Sequence, residues 1–344
     1  MSKVGIVYHP IYLEHDTGGH PENANRLVEV LSVLERSGVA SQLLPVAPRP
    51  ATTAELMRVH TADYIRAIEM TSVGGGGWLD ADTVVSRKSY EAALYAAGGL
   101  IEATSAVLRQ ELDSAFGLVR PPGHHATPSR AMGFCLFNNV AVAARHALAD
   151  FGLERILIVD FDVHHGNGTQ EAFYHDPSVL YFSTHQYPFY PGTGGANEVG
   201  VGEGEGLTVN VPLPAGCGDE EYLQAFEEIL LPAARRFQPQ LVLVSAGYDI
   251  HWADRLALMQ VSTTGIGHMV ALLRGLAQEL CQGRLVFALE GGYYYPSLAA
   301  SVKATFDVLL GNPVDDPLGP ATPARKTSDI APLLRAIKER HQLA

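Results

Sequence analysis

One short segment of the sequence carries several side chains that can bind a divalent metal ion. It reads DFDVHHGNG over residues 160–168 and directly follows the apolar run ILIV at 156–159, which predicts a buried strand. Because side chains alternate along a strand, Asp160, Asp162 and His164 are expected on one side of the chain. Carboxylates and an imidazole at the end of a buried strand are unfavourable unless a cation binds them, and they suit zinc or a similar divalent ion. The segment therefore predicts a metal site, and with it an enzyme.

A third metal ligand is predicted at the end of another strand. Asp249 closes the segment SAGYD, which begins inside the predicted strand 240–247. Two aspartates and one histidine occupy three positions around a zinc ion and leave the fourth for water, as in catalytic zinc sites. Taken alone, Asp249 would more often be a helix cap or turn residue, and Asp162 with His164 could form a buried ion pair. The three residues together favour the metal site.

Two more segments supply groups for proton transfer and for stabilising negative charge. The first is RPPGHHA at 120–126, in which two prolines stiffen the loop that carries the adjacent His124 and His125. Adjacent histidines on such a loop are best explained as acid and base groups near the metal. The second is LEGGY at 289–293, in which the Tyr293 hydroxyl can donate to a developing oxyanion. Without the other segments, this tyrosine would be read as an aromatic residue that packs on a loop.

Apolar strands alternate with amphipathic helices along most of the chain. This pattern predicts an α/β fold of three layers, with a central, mostly parallel sheet between two layers of helices. In such sheets the ligand site lies beyond the carboxyl ends of the strands, which is where the polar segments above are found. The predicted strands are 3–9, 114–120, 155–162, 179–185, 207–213, 240–247 and 285–292, and the predicted helices are 22–36, 53–70, 86–109, 138–150, 219–236, 264–280 and 297–310.

The length of 344 residues is read as one catalytic domain over residues 1–312, with a further segment at 313–344. The chain after residue 310 is rich in proline, glycine and aspartate, which predicts a linker. A short helix that packs on the same domain is expected from about Ser328, whose hydroxyl can cap it.

Composition limits the partners and the location of the protein. The net charge of −13 argues against binding to nucleic acid, and it fits either a basic substrate or an acidic surface in contact with solvent. The three cysteines, Cys135, Cys217 and Cys281, are far apart and form no CxxC motif, which indicates a reduced intracellular protein. No apolar run reaches the roughly 18 residues of a membrane span, and residues 3–8 resemble a first strand rather than a signal peptide. We therefore expect a cytoplasmic protein without membrane contact.

The motifs together resemble those of the zinc-dependent histone deacetylases. They occur in the family's order between residues 4 and 310, and the HHGNG and EGGY forms are closest to class II and its bacterial relatives: the histone deacetylase-like amidohydrolases, acetylpolyamine amidohydrolases and acetoin utilization proteins. The resemblance implies the arginase/deacetylase fold. The matching segments are HPENANR at 20–26, RPPGHHA at 120–126, GFCLFNN at 133–139, DFDVHHGNGTQ at 160–170, YPGTG at 190–194, SAGYD at 245–249 and EGGY at 290–293.

The resemblance also implies a role for individual residues. One catalytic zinc ion is expected, and a structural potassium ion is expected at Asp160 and the backbone oxygens near Asp162, His164 and Ser183. Arg26 and Cys135 match residues behind the zinc, where acetate leaves. The implied metal ligands are Asp162, His164 and Asp249, the implied catalytic residues are His124, His125, Asp160 and Tyr293, and the residues implied to bind substrate are Gly133, Phe134, Tyr190 and Leu256.

The two histidines are predicted to differ in charge. In the family Asp160 pairs with the first histidine, whereas Asn167 stands where an acidic partner of the second is often found. A carboxylate favours the imidazolium form much more than an amide does. We therefore expect His124 to be cationic and His125 to be neutral, so that His125 acts first as the base and then as the acid.

The predicted reaction is removal of an acetyl or other acyl group from an N-acylated amine. An acetyl-lysine-like substrate, in a peptide or protein, is favoured for two reasons. Leu256 stands where polyamine-selective relatives often have an acidic residue, and the insertion that dimeric polyamine hydrolases carry near the N-terminus is not evident between residues 9 and 26. An acetylated polyamine or another small acylated amine is the alternative. A non-catalytic acyl-lysine reader and a binuclear manganese ureohydrolase are rival functions. Asp80 and Asp82 either anchor a peptide backbone at the rim or cap the following helix, and the oligomeric state is left open.

Overall fold

An eight-stranded sheet, parallel throughout, forms the centre of the molecule. The structure, a computed structural model, describes residues 2–322 and 329–343. The order in the sheet is β2-β1-β5-β10-β9-β6-β7-β8, and β3 and β4 form a separate antiparallel pair. The strands are β1 (Val4–Val7), β2 (Leu44–Val46), β3 (Gly77–Trp78), β4 (Val84–Val85), β5 (Ser114–Gly117), β6 (Ile156–Asp160), β7 (Val179–Gln186), β8 (Thr208–Leu213), β9 (Leu241–Ala246) and β10 (Leu285–Leu289).

Helices cover the sheet, so the predicted three-layer α/β fold is confirmed. Helix α4 packs beside α5, while α1, α10 and α9 pack side by side as a second group. The central strands are buried on both faces, and every residue of β5, β6 and β9 is buried. The helices are α1 (Asn25–Arg36), α2 (Thr53–Leu56), α3 (Ala62–Val73), α4 (Ser89–Leu108), α5 (Asn139–Phe151), α6 (Asn167–Phe173), α7 (Asp219–Ala225), α8 (Leu231–Phe237), α9 (Thr263–Cys281), α10 (Tyr295–Leu310) and α11 (Ala331–His341).

Several elements differ from those predicted. The helix expected over 53–70 is two helices, because Thr61 accepts a hydrogen bond from the amide of Tyr64 and starts α3 anew. The helix expected over 219–236 contains a π-helical turn at Phe226–Leu230 between α7 and α8. Strand β2 and helix α6 were not predicted.

The terminal helix α11 contacts the segments around β8 and α8. Lys338 Nζ lies 2.6 Å from a carboxylate oxygen of Glu228, and Arg340 donates to the carbonyl of Ala196. The predicted cap, Ser328, lies outside the described residues. A division of the chain at residue 312 stays a prediction. No helix in the described parts of the chain is long and apolar enough to cross a membrane.

Candidate active site

The strands that lead to the predicted site residues are neighbours in the sheet. Strands β5, β10, β9 and β6 lie side by side, and Phe116, Phe287, Val244 and Val159 are in register across them. All four strands are parallel, so they end at the same edge. The segments that follow them carry the histidine pair, the tyrosine and the predicted metal ligands, and the sheet therefore brings these distant parts of the sequence together.

The three predicted metal ligands converge at this edge. Nδ1 of His164 is 3.1 Å from Oδ1 of Asp162 and 3.3 Å from Oδ2 of Asp249. The other carboxylate oxygens are occupied by backbone amides, since Gly291 donates to Oδ2 of Asp162 and Val163 donates to Oδ1 of Asp249. Oδ1 of Asp162 also accepts from the amide of His164 at 2.9 Å but keeps a second lone pair, so each ligand residue still offers one atom toward a common point.

The arrangement of these three atoms fits a divalent ion. Nitrogen and oxygen ligands about 2.0–2.2 Å from a tetrahedral ion lie about 3.3–3.6 Å from one another, which is close to the separations observed. Oδ2 of Asp249 is buried and accepts no hydrogen bond, which is unfavourable for a carboxylate unless a cation lies beside it. A side chain at position 291 would block this space, because a Cβ on Gly291 would lie 2.2 Å from the same oxygen.

The two histidines of the RPPGHHA segment have different partners. Nδ1 of His124 is 3.0 Å from Oδ2 of Asp160, an oxygen that also accepts from the Tyr181 hydroxyl. Nδ1 of His125 donates to the Oδ1 carbonyl of Asn167 at 2.8 Å, which leaves the lone pair on its Nε2 atom. Both imidazoles are 3% exposed, so these partners decide their charge.

The charge of each histidine follows from these surroundings. Burial alone would lower the pKa of His124, but Asp160 and Asp162 together raise it to about 10. Burial, with repulsion from His124 and His164, lowers the pKa of His125 well below its ordinary value. The first histidine is therefore cationic and the second neutral near neutral pH.

Glu290 supports the histidine pair from behind. Its Oε2 atom accepts from the backbone amides of Gly123 and His124, and its Oε1 atom accepts from the Ser245 hydroxyl. It lies near the Cys135 thiol and could with His124 form a second metal site. Its oxygens, however, already take three hydrogen bonds, so we interpret this group as a hydrogen-bonded support. Glu290 was not among the predicted site residues, although a carboxylate at the end of a buried strand was a usable signal.

Gly123 lies where two backbone segments approach each other closely. It also starts a turn, in which the amide of Ala126 donates to the carbonyl of Gly123 at 3.0 Å. A Cβ at this position would lie 2.5 Å from the amide nitrogen of Asn139 and 2.8 Å from the carbonyl oxygen of Phe137. The glycine therefore lets the histidine loop pack against the start of α5.

A buried ion network ties the histidine loop to the N-terminal HPENANR motif. The Arg120 guanidinium contacts both carboxylate oxygens of Glu22, at 2.5 and 2.8 Å, and Arg26 contacts the same carboxylate at 3.1 Å. Burial alone would raise the pKa of Glu22, but the two arginines hold it well below its usual range. Arg26 also donates to the carbonyl oxygens of Glu290 and Gly292, which places it beside the EGGY segment.

All four predicted substrate-binding residues line one cavity of about 220 Å³. Gly133 and Phe134 both have positive φ, 56° and 71°, within a tight turn from Met132 to Cys135. This turn sets Gly133 against the ring of His125 and sets Phe134 into the cavity wall. The cavity is lined by Asp82, His125, Gly133, Phe134, His164, Phe189, Tyr190, Leu256 and Tyr293.

Aromatic rings form much of the wall. Tyr190 lies edge-on to His125, with ring centroids 5.2 Å apart, and Phe134 lies edge-on to Tyr293 at 5.8 Å. Phe189 stacks on His164 with centroids 5.4 Å apart. Phe189 was missed by the sequence analysis, although it directly precedes the aromatic residue that was selected.

The two loop aspartates differ in position. Asp82 lines the cavity, whereas Asp80 accepts from the amides of Asp82 and Thr83 and so shapes the turn between β3 and β4. Neither caps the following helix, whose N-cap residue is Lys88. Of the two alternatives that the sequence left open, helix capping is wrong for both residues, and a place at the rim agrees with the geometry of Asp82 alone.

Comparison with known proteins identifies the family. A model of the histone deacetylase domain matches residues 20–309. The chain belongs to the histone deacetylase family.

Relatives in archaea, bacteria and plants share this domain. A probable deacetylase of Archaeoglobus fulgidus is 44% identical over 84% of this chain and 81% of its own length, and a histone deacetylase-like amidohydrolase of Pseudomonas aeruginosa is 42% identical over 87% and 80%. The crystal structure of the HDA15 HD domain superposes with a TM-score of 0.90 at 38% identity, over 99% of this chain and 95% of the other. The protein is thus a hydrolytic deacetylase of this fold, and its family acts on acetylated lysine or amine substrates.

Proposed function

We propose that this deacetylase uses zinc to remove the acetyl group from acetyl-lysine-like side chains. The observation that carries the proposal is the cavity of about 220 Å³, which joins an apolar, aromatic wall to the His125 ring and the His164 ligand. Aromatic faces suit the apolar stem of a lysine side chain. An acetyl group at the end of that stem would reach the residues at the carboxyl edge of the sheet.

Asp162, His164 and Asp249 would hold the zinc ion. A zinc ion there would polarise the acetyl carbonyl and lower the pKa of a water molecule toward about 7. His125 accepts the water proton at Nε2, since its Nδ1 proton is committed to Asn167. The water oxygen bonds to the acetyl carbon, and His125 then gives the proton to the amine nitrogen as the carbon–nitrogen bond breaks, so that the free amine and acetate are the products. Such proton transfer contributes about 10²–10⁴ in rate.

His124 assists without transferring the proton. Asp160 holds it in the cationic form, so it stabilises the negative charge that develops on the substrate. The variants His125→Ala and His124→Ala test this division. We expect His125→Ala to lose more kcat than His124→Ala. If His125→Ala keeps most of its activity while His124→Ala loses it, the assignment is wrong.

Tyr293 is the proposed donor to the substrate oxyanion. Its ring forms part of the cavity wall near His125 and the predicted metal ligands. A filled tyrosine position argues against a non-catalytic acyl-lysine reader, which would be expected to lose such a group. Turnover of any acetylated amine by purified protein would exclude the reader function.

An acetylated polyamine is a second candidate because Asp82 lines the cavity. Its carboxylate would attract a second amine, whereas Leu256 gives no such attraction. Measuring kcat/KM for acetyl-lysine peptides and for N-acetylputrescine decides between the two. We expect the peptides to be preferred, and Leu256→Glu to shift the ratio toward the polyamine, with Asp82→Asn shifting it away. A strong preference of the unmodified protein for N-acetylputrescine would overturn the assignment.

Two further features of the proposal concern ions and location. Asp160 is paired in register with Ser183, and a structural potassium ion is proposed at this position. Higher thermal stability in potassium than in sodium would support the potassium site, and equal stability would count against it. A cytoplasmic location is proposed from the sequence alone, and fractionation of the source cells tests it.

A further inference from the structure

The segment that carries Tyr293 is held by two buried side chains of opposite charge. Gly291 and Gly292 precede the tyrosine, so this part of the backbone has no side chains of its own to hold it in place. Arg26 and Asp254 both contact it, and they are 0% and 4% exposed. Asp254 has been given no part in the chemistry above.

The two side chains bind opposite ends of one peptide unit. Nε of Arg26 donates to the carbonyl oxygen of Gly292 at 2.7 Å, and the amide of Tyr293 donates to Oδ2 of Asp254 at 2.6 Å. The C=O and N–H groups of a trans peptide lie in one plane and point in opposite directions. Binding both groups therefore fixes the plane of this peptide. The amide of Tyr294, in the next peptide, also binds Asp254, and together the two peptides set the direction in which the Tyr293 side chain leaves the backbone.

The Asp254 carboxylate also reaches the wall of the cavity. The amide of Tyr294 donates to the same Oδ2 atom at 3.0 Å, and the amide of Leu256 donates to Oδ1 at 3.0 Å. One buried carboxylate thus connects the segment that bears the proposed oxyanion donor with the residue proposed to select the substrate. Both Leu256 and Tyr293 line the cavity.

We infer that Asp254 is a positioning residue that sets the Tyr293 hydroxyl relative to the cavity wall at Leu256. The inference rests on the proposed function, because it needs Tyr293 to act as the oxyanion donor. Asp254 itself touches no reacting atom and acts only through the backbone amides that it binds.

A double-mutant cycle tests the inference with acetyl-lysine peptide as substrate. Asp254→Asn replaces one acceptor oxygen by a donor, so at least one of the three amides loses its partner. We expect kcat to fall about tenfold or more, but by less than the 10²–10³ that loss of the hydroxyl itself removes. In the Tyr293→Phe background the same change should alter kcat by less than about twofold, because the group that it positions is already gone.

Two other variants separate positioning from charge and from folding. Asp254→Glu keeps the negative charge but moves the oxygens by about 1.5 Å, one carbon–carbon bond, so it should also lower kcat, whereas a purely electrostatic role would leave kcat unchanged. Asp219→Asn is the matched control. Asp219 accepts hydrogen bonds from the amide and the hydroxyl of Ser262, at 2.6 Å each, and does not line the cavity. It should lower thermal stability without a change in kcat.

The outcomes distinguish this inference from the proposed function. If Asp254→Asn lowers kcat by the same factor with and without Tyr293→Phe, Asp254 does not act through the tyrosine and the inference is wrong. If both Asp254 variants fail to fold, the residue is structural and the inference is also wrong. If Tyr293→Phe alone leaves kcat unchanged, it is instead the proposed role of the tyrosine that fails.

Discussion

A methyl group added at Gly133 should displace the ring of His125, the proposed base, without changing the chemistry of the imidazole. A Cβ at this position would lie 2.3 Å from Cδ2 and 2.7 Å from Cγ of His125. Since ordinary contacts begin at 3.4 Å, the imidazole or the turn must move by about 1.1 Å. A displacement of about 1 Å can cost on the order of 10² in rate. Gly133→Ala is therefore expected to lower kcat for an acetyl-lysine peptide by that order.

Gly152→Ala provides a matched control for the backbone strain. Gly152 has a φ of 66°, close to the 56° of Gly133, and no atom lies within 4 Å of the Cβ that alanine would add. Alanine in this conformation costs roughly 1–2 kcal/mol at either position. Both variants should thus unfold at a lower temperature, but only Gly133→Ala should lose kcat.

The measurement pairs steady-state kinetics with elemental analysis. His125 is not a proposed metal ligand, so Gly133→Ala should retain the zinc content of the unmodified protein. A displacement of about 1 Å should make the kcat of Gly133→Ala on the order of 10² lower than that of Gly152→Ala. If the two values differ by less than about threefold, the contact does not position the imidazole and the steric argument fails.

Three further predictions follow from the site. Tyr293→Phe should lower kcat by about 10²–10³ with little change in KM, and a change confined to KM would contradict the oxyanion role. Asn167→Asp should raise the pKa of His125, because a carboxylate stabilises the imidazolium. Since the base must be neutral to act, the acidic limb of the kcat/KM profile should move to higher pH, and a limb that does not move would refute the pairing. Chelation should abolish turnover and lower the midpoint of thermal unfolding, and added zinc should restore both. The Asp249→Ala variant should respond to neither treatment. Activity that survives chelation would disprove the metal site.

Much of the fold followed from the alternation of apolar strands and amphipathic helices. Seven of the eight strands of the central sheet were predicted, because buried parallel strands are continuous apolar runs. Strand β2 was missed, since it has only three residues and one of them is Pro45. The break between α2 and α3 was missed because periodicity does not reveal the cap that Thr61 forms.

The site was predictable to the extent that its residues stand at strand ends in recognisable motifs. Sequence spacing placed Asp162 and Asp249 at one edge, and the sheet order explains why they meet. The place of Glu290 at the end of a buried strand was a usable signal, but the partners of Glu290 and Asp254 were not predictable, because both bind backbone amides of segments more than 35 positions away in the chain. Contacts of that kind depend on the folded geometry and leave no pattern in the sequence.

The burial of all three thiols makes the protein suited to site-specific labelling. Cys135, Cys217 and Cys281 are free and buried, and burial raises the pKa of each, to about 12 for Cys217 and about 11 for Cys281. Maleimide reagents attack exposed thiolates, so the native cysteines should react slowly. A single cysteine introduced in place of Leu258, which is 45% exposed and two residues from Leu256, would then carry a fluorophore on the segment that supplies Leu256 to the cavity, without removal of any native thiol.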